Sequence, residues 1–89
     1  MGKDKSNVAL VTGANGGIGK AIVKKYSRQG LTLAIADKDE EQANKLVHEI
    51  TRGNGKAMAF PGDLMDQNYS DSLANEVKEK LGSIDILIN

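Results

Sequence analysis

The chain has 89 residues with 12 basic and 12 acidic side chains, 39% hydrophobic residues, one proline and no cysteine, an ordinary globular composition. Its length allows one small core, burying roughly 60 to 65% of the unfolded surface, and the lack of cysteine excludes disulfides and thiolate metal sites. Balanced charge and only three aromatic residues, Tyr26, Phe60 and Tyr69, argue against nucleic acid as a partner. No apolar run approaches the about 20 residues that a membrane span needs, so neither a membrane partner nor export is expected and the location is read as cytoplasmic.

Residues 1–7 are polar and read as a flexible terminus. Val8 to Val11 is a short apolar run, read as a strand, and Thr12-Gly13-Ala14-Asn15-Gly16-Gly17-Ile18-Gly19 follows it with four glycines in eight residues. A strand that turns tightly into a helix leaves backbone N–H groups unpaired and aimed beyond the strand end, where an anion belongs. The glycines let a pyrophosphate approach the backbone closely, and one of them is expected at positive φ. Asn15-Gly16 taken alone also reads as a hairpin turn. Against that, Ile18, Ala21, Ile22, Lys25 and Tyr26 recur at helical steps, which predicts a helix over 17–29.

Leu31 to Ala36, Lys56 to Phe60 and Ile84 to Ile88 complete four strands. Asp39 to Arg52 and Asp66 to Leu81 complete three helices. Ala43, Leu46, Val47 and Ile50 share a face of the second; Leu73, Val77 and Leu81, with Ala74 beside them, share one of the third. Asp39, with Gln42 three residues on, and Asp66 are placed to cap the helix starts. Gly30, Gly53 and Gly82 stand where helices stop, in positions suited to the left-handed conformation.

This alternation predicts an α/β fold: a Rossmann-like, doubly wound parallel sheet, present in part, as β-α-β-α-β-α-β with strand order 3-2-1-4 and strands buried on both faces. The glycine turn then falls where the strand order reverses, the crevice in which such folds hold ligands. Residues 8–89 read as a dinucleotide-binding half-domain cut short before a catalytic half. The fourth strand is left as a bare apolar edge through which the chain could self-associate.

Asp37 closes the second strand 24 residues after Gly13, near the spacing at which an acidic residue meets an adenosine ribose. A carboxylate there accepts from the ribose hydroxyls and repels a 2′-phosphate, favouring NAD over NADP, although Lys38 could turn toward a phosphate. Asp63, after Pro61-Gly62 at the end of the third strand, can take the adenine amino hydrogen while the Leu64 N–H donates to the ring. Asp85 reads as orienting the fourth strand. His48, the only histidine, falls on a solvated helix face, and no metal site is expected.

These residues resemble the amino-terminal part of the short-chain dehydrogenases/reductases, over about Val8 to Asn89. Thr12-Gly13 with Gly17-Ile18-Gly19 is similar to the family's Thr-Gly-x-x-x-Gly-Ile-Gly cofactor turn. Gly82 to Asn89 is similar to the lead into its Asn-Asn-Ala-Gly motif, with Asn89 as the first asparagine. The resemblance implies that Asp37 is the acidic residue of NAD-preferring members and Asp63 the adenine-binding aspartate. Asn15 and Gly16 are neutral where many NADP-preferring members carry a basic residue.

The family also uses a catalytic serine and a Tyr-x-x-x-Lys element. Tyr26 is followed four residues later by Gly30, and Tyr69 by Leu73, so no catalytic residue is assigned here. The expectation is the NAD-binding portion of an oxidoreductase acting on an alcohol or carbonyl, inactive as this chain alone. The alternatives are a catalytically inactive nucleotide-binding or self-associating Rossmann module, and an extended relative such as a sugar-nucleotide epimerase.

Overall fold

The computed structural model describes residues 7–13 and 17–88. Residues 1–6 of the expected flexible terminus 1–7 and the site candidates Asn15, Gly16 and Asn89 fall outside them, and of Ile18 only the backbone is described. The elements run β1 (Val8–Thr12), α1 (Gly17–Arg28), β2 (Thr32–Asp37), α2 (Glu40–Arg52), β3 (Lys56–Pro61), α3 (Gln67–Leu81) and β4 (Ile84–Ile88). All strand pairs are parallel, and the order is β3-β2-β1-β4, as the alternating pattern predicts.

Two of the helix starts use the anticipated caps. The Asp39 side chain accepts from the Gln42 N–H at 3.1 Å, and that of Asp66 accepts from the Asn68 N–H at 2.9 Å. At the helix ends, Gly30 and Gly82 have φ of 91° and 110°, but Gly53 does not: its φ is −91°, and Asn54 takes the left-handed position at φ 70°. Asparagine tolerates that region better than other side-chain-bearing residues. Gly55 follows under a different constraint, because a Cβ there would run into the Ser27 hydroxyl and come within 2.7 Å of Ile50 Cγ2.

The sheet is sandwiched. On one face Ala9, Val11, Leu33 and Ile35 pack with Val23 of α1 and Ala43, Leu46 and Ile50 of α2; on the other, Val8, Leu10, Ala34, Ala36 and Phe60 pack with Leu73 and Val77 of α3. The two-residue period of a strand divides β1 and β2 between these clusters, so both central strands are buried. β3 and β4 are edges, and there the expected burial on both faces fails: β4 alternates between half-buried and exposed, with Leu87 at 62% exposure. Asp85 is the residue skipped where the β1–β4 register shifts, and its carboxylate accepts from the Val8 N–H at 3.2 Å. It orients β4, as expected.

In α1, Ala21 and Lys25 are exposed and the core residue is Val23, because the face toward the sheet is rotated from the predicted one to carry Val23 and the half-buried Tyr26. In α3 the predicted stripe of Leu73, Val77 and Leu81 faces the sheet and Tyr69 extends it by one step, whereas Ala74 beside it is exposed. His48 is exposed on α2. Among the described residues no helix is long and apolar enough to cross a membrane.

Val23 is 0% exposed in the cluster that joins α1 to the sheet. Val23→Ala removes two methyl groups from a filled core and is expected to lower unfolding free energy by about 2 kcal/mol, read from the shift of the urea midpoint. An unchanged midpoint would contradict the placement of α1.

Candidate functional site

Parallel pairing sends the carboxyl ends of β1, β2 and β3 to one rim of the sheet. There Gly13, Ala36, Asp37, Lys38, Gly62, Asp63 and Leu64 line a single open pocket of about 300 Å³. The strand-end candidates from three separate segments of sequence thus meet in one place. Ala36 and Gly62, which carry no binding chemistry of their own in sequence, join them.

Gly13 leaves β1 with φ 67°, a conformation that strains any side-chain-bearing residue and above all a β-branched one. A Cβ at Gly13 or Gly17 would meet no atom within 4 Å among the described residues, so packing against those residues does not account for these glycines. Gly17, Ile18 and Gly19 form the opening of α1, and its first turn carries no acidic side chain. That of α2, in contrast, holds Glu40 and Glu41, and negative side chains at that end offset the helix dipole.

Asp37 and Asp63 are built alike. Each uses one carboxylate oxygen to accept a backbone N–H two residues on, from Asp39 at 3.0 Å and Met65 at 2.9 Å. Such Asx turns fix the side chain and leave the second oxygen of each without a hydrogen bond among the described residues. The two turns are also tied together: the Gly62 N–H donates to the Asp37 carbonyl at 3.0 Å, continuing the β2–β3 ladder by one residue. Leu64, 45% exposed, and Met65, 90% exposed, place apolar surface at the rim beside these polar groups.

Tyr69 stands behind this wall. Its hydroxyl donates a short hydrogen bond to the Phe60 carbonyl, and its ring lies against Gly62, where a Cβ would come within 2.7 Å of the ring Cγ. Burial, reinforced by the carboxylates of Glu76 and Asp37, raises the hydroxyl above its ordinary pKa of 10.0. The phenol therefore stays a donor to a higher pH than an unperturbed tyrosine. Tyr69 was missed in the sequence, although its spacing of four before Leu73 marks it as the start of the α3 stripe.

The fold and rim define a Rossmann-like α/β protein with its pocket at the carboxyl ends of the strands. A family model described as short chain dehydrogenase matches residues 7–89. L-2,3-butanediol dehydrogenase of Corynebacterium glutamicum is 40% identical over 86 residues, covering 94% of this chain and 33% of that protein. Among solved structures, a metagenomic short-chain oxidoreductase in complex with NADP matches with a TM-score of 0.84 and 32% identity, over 91% of this chain and 37% of that one. An oxidoreductase from Haemophilus influenza with bound NAD matches at 0.83 and 26% identity, over 91% and 29%. The chain belongs to the short-chain dehydrogenase family, and it spans about a third of the length of the curated relatives it matches.

A raised folded-state pKa means that folding favours the protonated Tyr69. Its stabilising contribution is fully present below pH 10.0 and is lost as pH rises through the elevated value. In a Tyr26→Phe variant Tyr69 is the one remaining tyrosine. Spectrophotometric titration of that folded variant should give a phenolate midpoint above 10.0; a midpoint at or below it contradicts the buried donor.

Proposed function

We propose that residues 8–89 are the cofactor-binding part of an NAD-dependent oxidoreductase acting on an alcohol or carbonyl substrate. The observation that carries this reading is the meeting of Gly13, Asp37 and Asp63 at one pocket, each with the chemistry that a different part of a dinucleotide requires. Relatives solved with NAD and with NADP support a nicotinamide dinucleotide in general. When bound, it supplies a ring that accepts or donates a hydride.

The residues fit that group at three points. Gly13, Asn15, Gly16, Gly17, Ile18 and Gly19 are assigned to the cofactor's phosphates, and an α1 first turn free of acidic side chains favours negative charge there. The second oxygen of Asp37 accepts from the adenosine ribose hydroxyls. A 2′-phosphate would meet the same carboxylate, which is why we assign NAD rather than NADP. Lys38, the one cationic side chain among the described residues lining the pocket, offsets part of that preference. The second oxygen of Asp63 takes the adenine amino hydrogen, and the Leu64 N–H donates to the ring. Asn89, which follows β4 in sequence, is assigned to the cofactor on the family resemblance alone.

These residues bind and orient; none of them is assigned to transfer a proton. Neither tyrosine begins the Tyr-x-x-x-Lys element, so this chain by itself is proposed to bind the dinucleotide without turning over substrate.

Titration calorimetry of the chain with NAD and with NADP tests the assignment. Asp37→Ala should weaken NAD about 10-fold, the loss expected for a hydrogen bond to a charged group, and should weaken NADP less. An unchanged ratio of the two affinities would remove Asp37 from the ribose site.

A further inference from the structure

We propose that Tyr69 is a positioning residue for the adenine end of the cofactor, acting through Gly62. This rests on the assignment of Asp63 and Leu64 to adenine. Tyr69 is not among the residues lining the pocket, whereas Gly62 is, so the Gly62 backbone stands between the tyrosine ring and the pocket.

The turn that carries Asp63 and Leu64 closes on itself. Met65 N–H donates to the Asp63 carboxylate at 2.9 Å and Asp66 N–H to the Asp63 carbonyl at 2.8 Å. Those bonds set the shape of the turn but do not fix its height above the sheet. Its start is held to β2 by the Gly62 bond to Asp37, and its end is carried by α3, whose N-cap Asp66 binds the Asn68 N–H at 2.9 Å. Tyr69 joins the two ends, with its hydroxyl on the Phe60 carbonyl before the turn and its ring wedged against Gly62.

Gly62 and Tyr69 are therefore one unit. The ring occupies the place of a Cβ, and any side chain at position 62 drives it aside. Displacing the ring, or releasing its hydroxyl, shifts the Asp63 carboxylate relative to a base docked at the rim. A displacement on the order of 1 Å is enough to weaken a directional hydrogen bond severely. The phosphate cradle assigned to Gly13 and the start of α1 lies on other elements.

The readout is the ratio of affinities for NAD and for nicotinamide hypoxanthine dinucleotide, whose base presents a carbonyl in place of the amino donor. The wild-type chain should favour NAD by about 10-fold, since the hypoxanthine carbonyl faces a carboxylate it cannot pair with. Tyr69→Phe, which keeps the ring and loses the hydroxyl, should cut that preference to about 3-fold or less, as should Gly62→Ala, which keeps the hydroxyl and moves the ring. Where either variant does not fold, the other gives the same reading. A purely structural role would lower both affinities together and leave the ratio intact, which would overturn the inference while the cofactor assignment stands. A wild-type chain that binds both dinucleotides equally, or neither, would remove the adenine assignment and this inference with it.

Discussion

Everything functional in this chain depends on the parallel register of β1, β2 and β3. Because the three strands run the same way and pair residue for residue, from Thr12↔Ala36 to Asp37↔Pro61, their exits lie side by side. A glycine, an aspartate and a second aspartate from separate stretches of sequence are thereby delivered to one pocket. Burial of β1 and β2 on both faces holds that register, since a one-residue slip would exchange the contents of the two clusters. The site is an outcome of core packing.

Local backbone geometry then sets what each exit can do. Positive φ at Gly13 turns the chain away from β1, and the Asx turns at Asp37 and Asp63 hold one oxygen of each carboxylate and leave the other. Such groups are preorganised, so a ligand that uses them does not have to order them first. The bond from Gly62 to Asp37 couples the second and third exits, and the parallel pairing of β1 with β2 sets the first beside them.

Much of this was legible in the sequence, for reasons that differ between elements. Buried strands and capped helices announce themselves through composition and spacing, and so the element order, the 3-2-1-4 sheet and the caps Asp39 and Asp66 agree with the structure. The α1 face was misread because Ala21 and Lys25 fit a helical period as well as Val23 does, and only docking against Leu33 and Ile35 decides between them. At Gly53 the rule that glycine takes the left-handed end position gave way to the neighbouring asparagine. Gly62 and Tyr69 were hidden for another reason: their contact is tertiary, between a turn and a helix, and nothing in either residue's local pattern specifies it. Family membership, a match over residues 7–89, reinforces the fold, while the cofactor roles proposed for the rim residues are argued from their chemistry.

The central claim is that one pocket, at the carboxyl ends of three parallel strands, receives a dinucleotide. Nuclear magnetic resonance titration of the isotopically labelled chain with NAD tests it at the level of single amides. Saturable shifts should concentrate at Gly13, Gly17, Asp37, Asp63 and Leu64, leaving the α2–β3 connection around Gly53 unmoved. Shifts centred on that opposite end of the sheet, or none at the rim at saturating NAD, would contradict it.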